Sequence, residues 1–225
     1  MRKLLLLALF AWCYDLYSQP AVVDLGLPSG TKWAKTNVGA SNAQDYGNYY
    51  AWGEKNTKSD YTWVTYLYSG NTNFTLTKYC DKSEYGDGGF SDSKTVLEAA
   101  DDVVYYSYGA DYQIPTAAQW KELVDKCEWK WTDNYNNTSK KGYIVYKKKS
   151  NNSYSTSDTH IFLPAAGCKA NKGTLNAGSY GDYWSSSLGS TYPYCAQGYF
   201  FHSGDRKILD GTRYYGRTVR PVKKP

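Results

Sequence analysis

Along most of the chain, apolar and polar residues alternate over short runs, and helical spacing shows in two places. Val96, Leu97, Ala100, Val103 and Val104 repeat every three to four residues, which predicts a helix over about Val96–Tyr106 with Asp92 or Ser93 as its cap. Thr116 and Gln119 have capping-box spacing, Pro115 suits the position just before a helix, and Trp120, Leu123, Val124 and Cys127 share one face. They predict a helix over Ala117–Lys126. Strands are expected on either side of the turn Leu27-Pro28-Ser29-Gly30 within Val22–Val38, and over Tyr46–Trp52. Trp129–Thr132 and Tyr143–Lys147 read as a hairpin around an Asn-rich loop. Further strands are expected at Ile161–Leu163, Tyr183–Ser187, Gln197–His202 and Val219–Val222. Residues 54–95 are polar and rich in Tyr, Asn, Thr and Gly, the pattern of a loop-rich insertion with little regular structure. Two helices followed by a run of short strands predict an α+β fold, as one domain over residues 22–222 without internal repeat or linker.

Ahead of this domain, Arg2 and Lys3 precede the apolar run Leu4–Trp12, and a polar stretch ends at Leu16-Tyr17-Ser18-Gln19. This is the pattern of a signal peptide over residues 1–18, with Ser18 as the small residue at the cleavage point. It implies a secreted or outer-surface location. The run is too short for a permanent bilayer helix, so no transmembrane span is expected after its removal. Cys13 raises the question of lipid anchoring, but bulky Trp12 stands where a lipobox has a small residue.

Composition adds three constraints. The chain has 25 Tyr and 8 Trp, so its core must lean on aromatics that keep a polar tip. The net charge is +5, partly from leader and tail, and the run Lys147–Lys149 reads as a solvated hairpin. Because the aromatics are spread along the chain rather than gathered on a basic face, no nucleic-acid partner is expected. Cys80, Cys127, Cys168 and Cys195 follow the leader. An even number in an exported chain permits two disulfides, with Cys80–Cys127 and Cys168–Cys195 suggested by sequence proximity and free buried thiols as the alternative. No CxxC pair is present, and His160 and His202 are the only imidazoles, so no structural zinc is expected.

Three segments carry a family likeness: Val23-Asp24-Leu25-Gly26-Leu27-Pro28-Ser29-Gly30-Thr31-Lys32-Trp33-Ala34, then Tyr112-Gln113-Ile114-Pro115-Thr116 before a helix with Trp120, then Tyr183-Trp184-Ser185-Ser186-Ser187 with Tyr215–Val222. Together they resemble the Fibrobacter succinogenes major paralogous domain, a family common in exported Bacteroidetes proteins. The middle segment is similar to the formylglycine-generating, sulfatase-modifying family, although Gln113 and Gln119 replace its Arg and acidic residue. These resemblances imply a C-type-lectin-like fold, with two helices, a twisted antiparallel sheet and long loops. The C-terminal frame is also similar to the ligand-binding end of retroelement-diversified variable proteins.

That last resemblance places a ligand-binding surface in loops 188–214. The candidate residues there are Tyr192, Tyr194, Gln197, His202, Asp205, Arg206, Asp210 and Arg213. Tyr and Arg suit recognition because they give large contact at modest ordering cost. The expected partner is an external protein or carbohydrate, with a structural role in a cell-surface assembly as the alternative. A catalytic reading is weaker. No G-x-S-x-G elbow surrounds Ser185–Ser187, no base adjoins Cys168 or Cys195, and a formylglycine-type oxidase would need that cysteine pair reactive. His160 reads as a satisfied structural histidine. Arg217 and Arg220 read as buried partners of carboxylates and rings, and Trp33, Trp52, Trp120 and Trp184 as core. No calcium-ligand series accompanies Asp87, Asp101 or Asp102, and no cofactor or metal is expected.

Overall fold

The computed structural model describes residues 18–225. The leader reading, with Arg2, Lys3, Leu4–Trp12 and Cys13, lies outside the described residues. No described helix is long and apolar enough to cross a membrane.

The described chain is α+β, with two α-helices and thirteen short strands. In place of one twisted sheet, the strands form four small antiparallel sheets. The first holds β1 (Val22–Val23), β2 (Lys32–Ala34), β13 (Val222–Lys223) and β3 (Tyr112–Gln113), in that order. It joins the two ends of the domain, because Val222 pairs with both Trp33 and Gln113. The second is the meander β4 (Cys127–Thr132), β5 (Gly142–Lys147) and β6 (His160–Pro164), which contains the expected hairpin. The third is β12 (Gly216–Arg217), β7 (Cys168–Ala170) and β8 (Gly173–Leu175). The fourth, β9 (Gly181–Leu188), β10 (Cys195–His202) and β11 (Asp205–Thr212), is the longest.

Helix α2 (Ala117–Lys126) forms where the sequence places it, with both capping-box bonds made between Thr116 and Gln119. Its buried Trp120 and Leu123 join Trp33, Trp129, Tyr143, Tyr199 and Phe201 in one core cluster. A second cluster gathers Trp52, Leu97, Val103, Val104 and Trp184. The four tryptophans read as core are 0–1% exposed.

Helix α1 is shorter and later than expected. It spans Val103–Tyr108, and Asp102 rather than Asp92 or Ser93 caps it, accepting from the Val104 and Tyr105 N–H groups. The apolar residues at 96 and 97 serve another element: Leu97 N–H donates to Ser186 O, and Val96 bridges Ser187 of β9. Pairing with a strand edge overrides helical spacing there. Asp92 instead accepts from the backbone of Tyr79 and Cys80. The Tyr46–Trp52 stretch is not a ladder strand; Tyr50 makes a single bridge to Arg217.

Burial pushes the Asp102 carboxyl up to about 6, against three backbone N–H bonds, one of them from Ile114, that favour its charged form. A carboxyl raised in the folded state stabilises most below its unfolded value near 4, and that contribution is lost as pH rises through about 6. Wild type is therefore expected to lose roughly 2 kcal/mol relative to Asp102→Asn between pH 4 and pH 7. Urea unfolding across that range measures it, and parallel pH curves for the two proteins would refute it.

Candidate functional site

The window read as loops 188–214 is mostly a β-hairpin. β10 and β11 pair over eight residues from Cys195↔Thr212 to His202↔Asp205, turning at Ser203-Gly204. The charged run Asp205-Arg206-Lys207, exposed on both faces, hid the strand, since an outer edge strand carries polar side chains and shields its edge with them. True loop remains at 189–194 and 213–215.

This geometry divides the candidate residues. Tyr192 and Tyr194 lie in the first loop with rings stacked at 5.0 Å and 11°. Asp210 holds that loop, accepting from Ser190 N–H, Ser190 Oγ and Thr191 N–H. Asp205 and Arg206 lie at the opposite end of the hairpin, Asp205 in an ion pair with Lys207 at 3.0 Å. Some 17 Å of strand separates Asp210 from Asp205 at about 3.4 Å per residue, so they cannot share one small ligand. His202 is half-buried beside Tyr180 and Phe200, and its Nδ1 accepts from Gly204 N–H. Gln197 is half-buried in β10, where its carbonyl accepts from Ser185 Oγ.

Arg213 is no ligand residue. It is fully buried, with its guanidinium 5.0 Å from the Trp52 ring centre and 5.2 Å from that of Tyr66. Nε donates to Tyr66 Oη, Nη1 to the carbonyls of Tyr79 and Pro193, and Nη2 to that of Lys78. Those bonds tie segment 66–79 of the insertion to the loop carrying Tyr192. A buried cation needs such partners, and carbonyl oxygens supply them here.

The insertion thus belongs to the site. It is as irregular as expected, with short 3-10 turns at Trp63–Thr65, Ser83–Tyr85 and Asp87–Gly89. Yet Tyr61, Tyr66, Leu76 and Tyr79 within it are buried. Asp101 anchors it further by accepting from Tyr68, Tyr79 and Lys78. It sets Tyr85 beside the first loop, 5.4 Å from Tyr194 and 6.1 Å from Tyr192, and stacks Phe74 on Tyr85 at 5.4 Å and 11°. Lys82 Nζ donates to Thr191 O and sits 5.8 Å from the Tyr192 ring. The result is a row Phe74, Tyr85, Tyr194, Tyr192, whose ends are 57% and 42% exposed. Sequence reading missed Phe74, Lys82 and Tyr85; the signal was the density of aromatics in an otherwise polar segment.

The remaining chemistry-bearing residues are structural. Cys80, Cys127, Cys168 and Cys195 are free thiols rather than the suggested pairs. They stand on separate elements, and no two of them are bonded. Burial pushes the Cys127 and Cys168 thiols up to about 12 and the Cys195 thiol up to about 11. Arg217 Nε lies 2.9 Å from Asp182 Oδ1, off the N–H axis, so the contact is one of charge rather than a hydrogen bond. Its guanidinium lies over Trp184, and Gly198 and Gly211 leave room for it where any Cβ would collide. Arg220 bonds Asn37 Oδ1 and the carbonyls of Ala34 and Phe162, not the expected carboxylate. His160 Nδ1 lies 2.7 Å from Asp158 O, which can only accept, so Nε2 accepts from Tyr135 Oη. Among the described residues no group of three or more His, Cys, Asp or Glu is placed to hold a metal ion. A recess of about 590 Å³ lies elsewhere, between Ser18–Ala21 and loop 39–43, where Lys35 is its one charged residue.

Comparison with protein-family models, with curated proteins and with solved structures finds no match to this chain.

Two outcomes follow from this geometry. Arg213→Ala leaves buried carbonyls without donors and is expected to cost about 3 kcal/mol or more, with faster proteolytic cutting within residues 54–95. Unchanged urea unfolding and cutting would show that the insertion is held without it. Alkylation of the denatured, unreduced protein is expected to modify Cys80, Cys127, Cys168 and Cys195, as peptide mass mapping would read; a protected pair would restore a disulfide.

Proposed function

We propose that the chain is an exported surface protein of C-type-lectin-like architecture, akin to the Fibrobacter succinogenes major paralogous domain, that recognises an external protein or carbohydrate ligand. The observation that carries this reading is the surface row Phe74, Tyr85, Tyr194 and Tyr192, exposed at both ends and half-buried between them. Isolated exposed apolar residues are ordinary, but aromatics aligned ring to ring on a surface give a ligand stacking area at small ordering cost. Arg213, Asp210 and Lys82 hold the row's supporting segments in place before any ligand arrives, which reduces the entropy lost on binding.

The oxidase reading has little chemistry to draw on, since thiols raised to about 11 and 12 carry almost no thiolate at neutral pH. A structural subunit role has one observation in its favour. Val64 and Leu67, 72% and 64% exposed on the same insertion, would suit burial against a neighbouring subunit.

The triple variant Phe74→Ala, Tyr85→Ala, Tyr192→Ala, compared with wild type on a mixed glycan and host-protein array, tests the reading. Each lost aromatic contact is expected to cost about 1 kcal/mol or more, so wild-type signals should fall at least tenfold. A ligand bound equally by a folded triple variant would remove the row from the site. No ligand at all, with concentration-dependent self-association lost in Val64→Ser, Leu67→Ser, would favour the subunit role.

A further inference from the structure

Strand β11 is an edge, paired with β10 on one side only. Arg213 N–H donates to Tyr194 O, which continues the ladder and places its bonds at the odd-numbered residues of β11. The N–H and C=O groups of Arg206, Ile208 and Asp210 therefore point away from β10. Among the described residues these groups have one partner, the exposed Asp205 carboxylate, which accepts from Arg206 N–H at 2.8 Å. The open stretch ends at Thr212, whose carbonyl accepts from Tyr215 N–H. Its middle residue is Ile208. Unpaired edge groups of this kind are a template for a further strand.

The side chains decide which strand fits. Arg206, Ile208 and Asp210 share one face of β11, and Lys207 and Leu209 the other. Arg206 lies 5.5 Å from the Trp129 ring centre, with no ion pair among the described residues, and Leu209 is 40% exposed. A two-fold axis normal to the sheet keeps each face on its own side, so an antiparallel copy of β11 sets even-numbered residues opposite even-numbered ones. Centred on Ile208, this pairing uses every outward N–H and C=O from Arg206 to Asp210. Each Arg206 then meets Asp210 of the other copy, Ile208 meets Ile208, and Lys207 meets Leu209. Sliding the strands one way sets Lys207 against Lys207. Sliding them the other way sets Asp210 against Ile208 and leaves Arg206 opposite Thr212. The charges that turn away an unmatched strand thus fit a second β11 in one register.

We propose that the outer edge of β11 is an interface with a second copy of this chain, joining two three-stranded sheets into one through antiparallel pairing centred on Ile208. Asp210 holds the loop that carries Tyr192, so the dimer presents one aromatic row near each end of the seam. The interface uses neither that row nor Val64 and Leu67.

Sedimentation velocity over a concentration series tests it, together with mild oxidation of the Ile208→Cys and Leu209→Cys variants. A monomer–dimer equilibrium is expected, weakened about tenfold or more in Arg206→Glu, which sets like charges opposite each other at both ends of the seam. Arg206 is exposed, so this variant should keep its fold. The Val64→Ser, Leu67→Ser variant should dimerise as wild type does. Ile208→Cys is expected to cross-link the two copies, because opposed Cα atoms about 5.5 Å apart suit a disulfide, whereas Leu209→Cys leaves its thiols staggered. Wild type, with its own free thiols, is the control for both. A monomer at every concentration, or a dimer equally tight in Arg206→Glu, overturns the proposal. Cross-linking through Leu209→Cys in preference to Ile208→Cys overturns the register, and a dimer lost in Val64→Ser, Leu67→Ser moves the contact to the insertion and overturns the interface.

Discussion

Buried side-chain donors aimed at backbone carbonyls hold this protein together. Long stretches of its interior backbone run outside any helix or sheet, and every buried carbonyl there needs a partner. Arg213 serves three carbonyls and Arg220 two, each guanidinium reaching segments far apart in sequence. Trp52 and Trp184 donate to the carbonyls of Ser185 and Tyr50, and Tyr49, Tyr61, Tyr66 and Tyr183 each cap another. This accounts for the abundance of Tyr and Trp over aliphatic residues. A Leu fills space, but it cannot satisfy a carbonyl. The same bonds make the core specific, because each donor fits only one arrangement of the surrounding loops.

The binding surface depends on that framework. Through Arg213 the insertion is fastened to the loop that follows β9, and the row from Phe74 to Tyr192 exists only while both segments are in register. Irregular backbone fixed by side chains gives a surface that is shaped by loops yet ordered, which suits recognition. The β10–β11 hairpin carries the row at one end and Arg206 at the other. Its two faces bury different things: Tyr199 and Phe201 in one cluster, Ala196 in the other.

Local signals were legible where local physics decides. Thr116 and Gln119 set the start of α2 through bonds within four residues, and the β4–β5 hairpin follows from alternation on either side of an Asn-rich loop. The structural role of His160, bonded two residues away to Asp158 O, was readable for the same reason, and the four tryptophans were readable as core because large rings are seldom left in water. Helix α1 was misplaced because Val96 and Leu97, helical in spacing, are claimed by the edge of β9. Strand β11 was missed because an edge strand can begin with a run of exposed charged residues.

Of the site, the sequence by itself determined the materials: Tyr192, Tyr194, Asp210 and Arg206 in the C-terminal third, and an aromatic-rich insertion. Tertiary structure alone decided their grouping. Nothing local distinguishes Arg213, fully buried, from Arg206, which is exposed seven positions earlier; each is an arginine among polar and aromatic neighbours. The difference lies in segments some 135 residues away along the chain, whose carbonyls surround Arg213 and leave Arg206 to solvent. Composition is written residue by residue, but burial is a property of what the rest of the chain brings alongside.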